Sequence, residues 1–298
     1  MTRRDSMYCL AALGLGIPLL NLPDDTVMKR KISSSGELLP AVGVGTWQTF
    51  DVDADESARA PLEEVLKVLL ENGGSVIDSS PMYGRSEQVI GELTEKLAIN
   101  KDLFIATKVW TKGKKQGLEQ MNRSFSLLKR KTIDLMQIHN LVDWKEHLTT
   151  LRAWKEEGKI RYLGITHYTE SSYPAIEQIL KAEPVDFLQI NYSIVSRKAE
   201  ERLFPLAQEK GVAVIINQPY ESGSLFQQVK EKAWPSWATE IDCSSWGQFF
   251  LKFILSHPAV TCVIPGTDKP HHMLDNIGAG AGRLPDAHMR QKMIDVMR

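Results

Sequence analysis

The sequence is poor in cysteine and has no excess of charge of either sign. Its three cysteines, Cys9, Cys243 and Cys262, are scattered and form no Cys-x-x-Cys pair, so neither a disulfide framework nor a cysteine-rich metal site is indicated. The 36 lysines and arginines balance 37 acidic residues. Because proteins that bind nucleic acids usually carry a basic excess, we expect no nucleic-acid partner.

The chain also lacks a hydrophobic run suited to a stable membrane span. Its most apolar stretch, Met7–Leu22, contains glycine and proline and is shorter than the roughly 20 residues that a transmembrane helix needs. Arg3 and Arg4 precede it, and together they resemble the start of a twin-arginine export signal, without an Ala-x-Ala cleavage site before Pro23. We expect residues 1–26 to direct export to the periplasm; a disordered N-terminal arm on a cytoplasmic protein is the alternative.

After this segment, strand patterns alternate with amphipathic helix patterns as far as the C-terminus. Eight apolar runs predict strands at Ala41–Trp47, Ser75–Ser80, Leu103–Val109, Asp134–Asn140, Tyr162–His167, Phe187–Ser193, Val212–Pro219 and Val260–Thr267. Helix patterns lie between them, the first at Ala60–Leu70 with Pro61 in its first turn. Repeated strand–helix units indicate parallel strands, and eight of them predict an α/β fold, a single (β/α)8 TIM barrel over residues 27–298. A hairpin at Lys31–Leu39 is expected to cap the barrel bottom.

A doubly wound sheet has the same alternation and is the alternative architecture. Such a fold is expected to carry a Gly-x-Gly-x-x-Gly turn after its first strand. The segment Gly43-Val-Gly45 begins this pattern but has no third glycine. The barrel is therefore favoured.

Titratable side chains occur at the ends of three consecutive predicted strands. Asp78, Lys108 and His139 each lie at or near a strand end, and Tyr83 follows the first of them. Charged groups are costly in buried parallel strands, and the carboxyl ends of barrel strands form the active sites of TIM-barrel enzymes. Each residue also has a structural explanation, such as a turn, a cap or a core histidine, but their clustering favours a catalytic site.

These four side chains are suited to protonating a carbonyl oxygen. Lys108 is expected to lower the pKa of Tyr83 and make it a usable general acid, while Asp78 holds the lysine and His139 orients the carbonyl. The sequence offers no nucleophile elbow, no cysteine in this cluster and no His-x-His metal site after the first strand, so no metal is expected. A hydride donor would complete the reaction, which implies a nicotinamide cofactor.

The chain resembles the aldo-keto reductases, and specifically a bacterial member with a twin-arginine-like N-terminus, over Lys29–Met297. The matching motifs are Gly43-Val-Gly-Thr-Trp47, Ile77-Asp-Ser-Ser-Pro-Met-Tyr-Gly84, Ala106-Thr-Lys-Val109, Met136-Gln-Ile-His139 and Val263-Ile-Pro-Gly-Thr267. The resemblance implies a (β/α)8 barrel and reduction of an aldehyde or ketone to an alcohol with NADPH, NADH being possible. It assigns the catalytic tetrad to Asp78, Tyr83, Lys108 and His139.

The resemblance also implies a cofactor-binding set. Its members are Gly45, Thr46, Trp47, Asp78, Thr166, His167, Gln189, Asn217, Pro219, Gly223, Leu225, Gly266, Thr267, Lys269, His272 and Asn276. His167 and Asn217 depart from the family pattern, where an asparagine and a stacking tyrosine are usual. The basic residues expected around a 2′-phosphate are displaced to Lys269 and His272.

The expected partner is a small-molecule carbonyl substrate. The pocket walls are expected in the loops Trp47–Asp53, Trp110–Gln116, His139–Trp144 and Gln227–Asp242, and Trp110 and Trp144 suggest an apolar or aromatic carbonyl. The helical tail near Asp286–Met297 predicts an open site without a long C-terminal loop over it. Two other functions remain: a cofactor-bound regulatory or binding module with little turnover, and a Schiff-base lyase that uses Lys108 as its nucleophile.

Overall fold

The computed structural model describes residues 27–298, so the predicted export signal at residues 1–26 lies outside the described part of the chain. An antiparallel hairpin, β1 (Lys29–Lys31) and β2 (Leu38–Pro40), comes first. The strands that follow are β3 (Val44–Gly45), β4 (Val76–Asp78), β5 (Phe104–Val109), β6 (Ile133–His139), β7 (Ile160–Thr166), β8 (Phe187–Asn191), β9 (Ala213–Asn217) and β10 (Val260–Val263).

Helices separate the strands and end the chain. They are α1 (Glu56–Glu71), α2 (Ser86–Lys96), α3 (Lys114–Leu127), α4 (Trp144–Glu156), α5 (Tyr173–Ala182), α6 (Leu203–Lys210), α7 (Ser224–Gln228), α8 (Trp246–Leu255), α9 (Pro270–Gly278) and α10 (Ala287–Met297). Within residues 27–298, no helix combines the length and apolar character needed to cross a membrane.

The eight strands β3 to β10 form one parallel sheet in chain order. Parallel bridges between Val42 and Val263 and between Gly45 and Gly266 join its first and last strands. The sheet therefore closes on itself, which confirms the predicted barrel. The first strand is shorter than the predicted Ala41–Trp47, because only Val44 and Gly45 make continuous ladder pairs, with β4.

Two details of the helices differ from the sequence prediction. Helix α1 begins at Glu56, so Pro61 lies inside the helix rather than in its first turn. The early start is tolerated because proline removes only one backbone donor, and good helix formers such as Ala58 and Arg59 precede it. The short helices α7 and α9 were not anticipated, since each is too brief to produce a clear periodic pattern.

The hairpin β1–β2 caps the amino-terminal end of the barrel, as predicted. Ile32 and Leu39 pack in one apolar cluster with residues at the beginnings of the strands, among them Val76 and Phe187. The Tyr162 hydroxyl also donates to Glu37 in the hairpin connection at 2.6 Å. The barrel bottom is thus sealed by apolar packing.

Strand register brings the polar residues together at the opposite end. Lys108 on β5 pairs with Gln137 on β6, and His139 on β6 pairs with Thr166 on β7. Thr166 in turn pairs with Gln189 on β8. Neighbouring strands therefore bring these side chains close together toward the carboxyl end of the barrel, where TIM-barrel active sites lie.

The packing of the hairpin leads to a stability prediction. Ile32 is fully buried whereas Leu38 in the same hairpin is 55% exposed. Ile32→Ala is expected to lower the free energy of unfolding by about 2–5 kcal/mol, because it removes buried methyl groups and leaves a cavity. Leu38→Ala, the matched control, is expected to change it by less than about 0.5 kcal/mol. Urea unfolding measures both, and an equal effect of the two variants would show that the hairpin does not seal the barrel.

Candidate active site

A cavity of about 710 Å³ opens at the carboxyl end of the barrel, within the usual size range of small-molecule sites. Asp78, Tyr83 and His139 all line it, and Trp47 and Trp110 form part of its wall. Within residues 27–298, Asp78 is the only charged side chain among the lining residues. The cavity therefore combines a polar floor with a largely uncharged wall.

A buried ion pair lies beneath the floor. The Lys108 ammonium donates to Asp78 Oδ2 at 2.6 Å and to the Ser79 carbonyl at 2.7 Å, and both charged side chains are almost fully buried. Burial lowers the pKa of Lys108, but Asp78 and Tyr83 together outweigh it, so the pKa of Lys108 is raised above its ordinary value. Lys108 therefore carries its positive charge at neutral pH.

The placement of Lys108 argues against a Schiff-base mechanism. Its side chain has no exposed surface, it does not line the cavity, and its ammonium is bound to Asp78 and Ser79. A lysine nucleophile needs an uncharged amine that can reach the substrate carbonyl. Lys108 meets neither condition.

The other carboxylate oxygen of Asp78 is held by two amides. Gln137 Nε2 donates to Asp78 Oδ1 at 3.1 Å, and Gln189 Nε2 donates to the same oxygen at 2.8 Å. Gln189 Oε1 accepts from the Thr166 hydroxyl at 2.9 Å. Residues from β4 to β8 thus form one polar network around the Asp78 carboxylate, which satisfies the buried charge.

Tyr83 lies between the ion pair and the cavity. The Lys108 ammonium is 5.0 Å from the Tyr83 ring centroid, and the rings of Tyr83 and His139 meet edge to face at 5.8 Å. Burial raises the pKa of the Tyr83 phenol, and Lys108 only partly opposes this. The sequence prediction of a lowered pKa was therefore wrong, because it did not include the cost of burying a phenolate. Tyr83 is a protonated phenol at neutral pH.

His139 is uncharged. Burial, followed by the charge of Lys108, lowers the pKa of His139 to about 2. Its Nδ1 atom is 2.9 Å from the Ser80 hydroxyl oxygen, and the Trp110 ring centroid is 6.4 Å from that of its imidazole. A neutral imidazole can donate one hydrogen bond to a carbonyl oxygen without adding a second positive charge beside Lys108.

Most residues of the predicted cofactor set line the cavity. Those that do are Gly45, Thr46, Trp47, Asp78, Thr166, His167, Gln189, Asn217, Pro219, Gly223 and Gly266. His167 Nδ1 accepts from the backbone N–H groups of Tyr168 and Thr169, which leaves its Nε2 as the donor nitrogen. Asn217 donates to the His167 carbonyl at 3.2 Å, while its own Oδ1 is buried without a partner.

The remaining members of that set do not line the cavity. Leu225 is buried in the core, and Asn276 Oδ1 accepts from the Tyr220 hydroxyl at 2.6 Å. Thr267 Oγ1 accepts from the Lys269 N–H at 3.1 Å within its own turn. Lys269 is exposed at the start of α9, and so is His272. Burial, followed by the charges of its neighbours, lowers the pKa of His272.

The cavity wall differs in part from the sequence prediction. Trp47 and Trp110 line it as expected, but Trp144 and the segment Gln227–Asp242 do not. Trp144 is instead the first residue of α4 and packs partly buried against the core. In the described part of the chain no lining residue follows Gly266.

Sequence reasoning missed several lining residues. They include Met82, Tyr168, Gln218, Phe226 and Ile264. Most lie on loops after strands, where no periodic pattern indicates which side chain faces inward. The position of Met82 next to Tyr83 was the one available signal. Among residues 27–298, no cluster of three or more His, Cys, Asp or Glu side chains could hold a metal ion.

Comparisons with known proteins agree with this geometry. The sequence model described as "Aldo/keto reductase family" matches residues 41–293. An uncharacterised oxidoreductase of Bacillus subtilis is 25% identical over 88% of this chain and 94% of its own. The NADH-specific methylglyoxal reductase of Escherichia coli is 28% identical over 63% of this chain and 65% of its own.

Solved structures of similar proteins have the same fold. The apo form of an aldo-keto reductase from Bacillus halodurans is 26% identical, with a TM-score of 0.71 over 91% of this chain and 96% of its own. An aldo-keto reductase of Klebsiella pneumoniae in complex with NADPH is 23% identical, with a TM-score of 0.72 over 89% of this chain and 94% of its own. The family match spans most of the sequence and includes the strand ends that build the cavity, and on this ground the chain belongs to the aldo/keto reductase family.

Proposed function

We propose that this chain reduces the carbonyl group of a small aldehyde or ketone to an alcohol, using a nicotinamide cofactor as hydride donor. The observation that carries this proposal is the presence of Tyr83 and His139 in one cavity, with the Lys108 ammonium, paired with Asp78, buried 5.0 Å from the Tyr83 ring centroid. A carbonyl gains a proton on oxygen as hydride reaches its carbon. The site presents a proton donor and a cation where negative charge would develop.

Tyr83 is the proposed general acid. Its raised pKa keeps the phenol protonated before reaction, and proton transfer to the substrate oxygen leaves a phenolate beside the Lys108 ammonium. The attraction between these two charges stabilises the product side of the proton transfer. Asp78 acts indirectly, because its ion pair fixes the position of Lys108 and keeps it charged.

His139 is proposed to orient the carbonyl. A neutral imidazole at the cavity floor can donate to the carbonyl oxygen while Tyr83 approaches the same atom. The edge-to-face contact of the Tyr83 and His139 rings supports the proposal that both side chains act on the same carbonyl oxygen. Because the pKa of His139 is lowered to about 2, this donor role is not lost by titration near neutral pH.

The cavity residues fit a nicotinamide cofactor, which supplies the hydride when bound. A carboxamide needs both a donor and an acceptor, and the site offers a His167 Nε2–H donor and the buried, unpartnered Asn217 Oδ1 acceptor. Tyr220 and Phe226, whose ring centroids are 4.9 Å apart, add an aromatic wall along the loop after β9. Both NADPH and NADH appear in the names of similar proteins.

NADPH is the proposed cofactor of choice. Lys269 is exposed beside the buried Thr267 at the start of α9, where a cation can pair with a 2′-phosphate. His272 adds little charge at neutral pH, because its pKa is lowered. The preference for NADPH would then rest mainly on Lys269.

Export is proposed for the N-terminal segment. Arg3 and Arg4 precede a weakly apolar stretch, a pattern of signals for the route that carries folded proteins. A barrel folded around its cofactor in the cytoplasm could travel by that route with the cofactor in place.

The assignment of the acid is tested by Tyr83→Phe. Turnover is expected to fall by roughly 10² to 10⁴, the usual range for a positioned general acid, while cofactor binding is retained because only the hydroxyl is lost. Tyr168→Phe is the matched control, since Tyr168 lines the same cavity, and it is expected to keep the parent rate. Aldehyde reduction by Tyr83→Phe at the parent rate would contradict the assignment.

The cofactor preference is tested by Lys269→Ala. Loss of one charge-assisted contact of about 1.5 kcal/mol is expected to reduce the ratio of NADPH to NADH affinity by roughly tenfold. Lys115→Ala, which removes an exposed lysine from α3, is expected to leave that ratio unchanged. Fluorescence titration with both cofactors measures the effect, and equal parent affinities for NADPH and NADH would refute the proposed role.

Export is tested by fractionating cells that express the parent chain and an Arg3→Lys/Arg4→Lys variant. The parent is expected in the periplasm and the double variant in the cytoplasm, because the twin-arginine route requires the arginine pair. Parent protein confined to the cytoplasm would rule out export.

A further inference from the structure

A serine side chain contacts one ring nitrogen of His139. Ser80 Oγ is 2.9 Å from His139 Nδ1, and both residues are buried. Ser80 follows β4 and His139 ends β6, so the contact joins two strand ends of the barrel. A buried hydrogen bond to one imidazole nitrogen decides which nitrogen carries the hydrogen.

The surroundings of Ser80 assign the direction of this hydrogen bond. Ser80 Oγ already accepts from the Met82 N–H, at 3.4 Å, and a hydroxyl has a single hydrogen to donate. In the described part of the chain, His139 Nδ1 is the one acceptor found for that hydrogen. If Nδ1 carried the hydrogen and donated to Ser80 Oγ, the buried serine hydroxyl would be left without an acceptor, which is costly. The favoured arrangement therefore has Nδ1 as the acceptor and the imidazole hydrogen on Nε2.

Neighbouring charged groups offer the His139 imidazole neither another hydrogen-bond partner nor a reason to become doubly protonated. Asp78 is paired with Lys108 and with two glutamine amides, so it offers no bond to the imidazole. Burial lowers the pKa of His139, and Lys108 and His167 act in the same direction, which disfavours a doubly protonated ring. His139 is thus restricted to a neutral form, and only the choice between its two tautomers remains.

We propose that Ser80 is a positioning residue that selects the Nε2–H tautomer of His139. This inference rests on the proposed carbonyl reduction, in which His139 Nε2 faces the cavity and donates to the substrate oxygen. The other tautomer would place a nitrogen lone pair against that oxygen and repel it. Ser80 does not line the cavity and acts only through the histidine.

The tautomer is read directly by ¹⁵N NMR of histidine-labelled full-length protein with NADPH bound. In the parent, the His139 signals are expected to show a pyridine-type Nδ1 and a pyrrole-type Nε2, unchanged between pH 5 and 9. His139→Gln identifies these signals by their loss. In Ser80→Ala the two nitrogen signals are expected to move toward each other, since both tautomers become populated.

Activity provides the second readout. Ser80→Ala is expected to lower kcat for reduction of a neutral aromatic aldehyde roughly three- to tenfold, the worth of one hydrogen bond, with the KM for NADPH unchanged. Ser80→Thr, which keeps the hydroxyl, is expected to retain the parent tautomer and most of the rate. Ser79→Ala removes the neighbouring buried hydroxyl, which has no partner, and is expected to keep the parent His139 signals.

Two results would overturn the proposal. A parent spectrum with the hydrogen on Nδ1 would do so whether or not any variant folds. A Ser80→Ala protein that keeps both the parent tautomer and the parent kcat would do so as well. A parent that reduces no carbonyl compound yet shows the expected tautomer would instead contradict the proposed function, so the two failures are distinguishable.

Discussion

The ion pair between Lys108 and Asp78 is the interaction on which the site depends. It places a positive charge beneath Tyr83 in a region without solvent, and removing one partner of such a pair costs about 3–5 kcal/mol. The cost of burying the intact pair is offset because Gln137, Gln189 and the Ser79 carbonyl form hydrogen bonds with its remaining polar atoms. The polar network at the carboxyl end of the barrel therefore holds the charged Lys108 side chain close to the Tyr83 phenol.

The same lysine sets opposite constraints on its two neighbours. It favours the phenolate of Tyr83 and disfavours the imidazolium of His139. Burial opposes the first effect and outweighs it, because it disfavours the phenolate, and it adds to the second, because it also disfavours the imidazolium. The result is a phenol that keeps its proton until a substrate oxygen accepts it, next to an uncharged imidazole. An acid and a hydrogen-bond donor can thus act on one carbonyl without competing for the proton.

Sequence patterns predicted the barrel and the position of three polar residues at one end of it, because both follow from strand alternation. Asp78, Lys108 and His139 interrupt otherwise apolar strand ends, and closure of the sheet brings such ends together. The direction of the pKa shift of Tyr83 could not be predicted, because it depends on how deeply the folded loop buries the ring. The contact from Ser80 to His139 joins positions far apart in sequence, and Tyr220 and Phe226 reach the cavity from a loop without periodicity.

Titration of Tyr83 tests the central claim most directly. In protein labelled with ¹³C at the tyrosine ring carbon that bears the hydroxyl, the Tyr83 signal of the parent is expected to remain that of a phenol up to pH 10, because burial raises its pKa. In Asp78→Asn/Lys108→Met, which removes both charges together and leaves neither unpaired, the pKa of Tyr83 is expected to rise further, since the cation that favours the phenolate is lost. A pKa of Tyr83 that is unchanged or lower in the double variant would contradict the account.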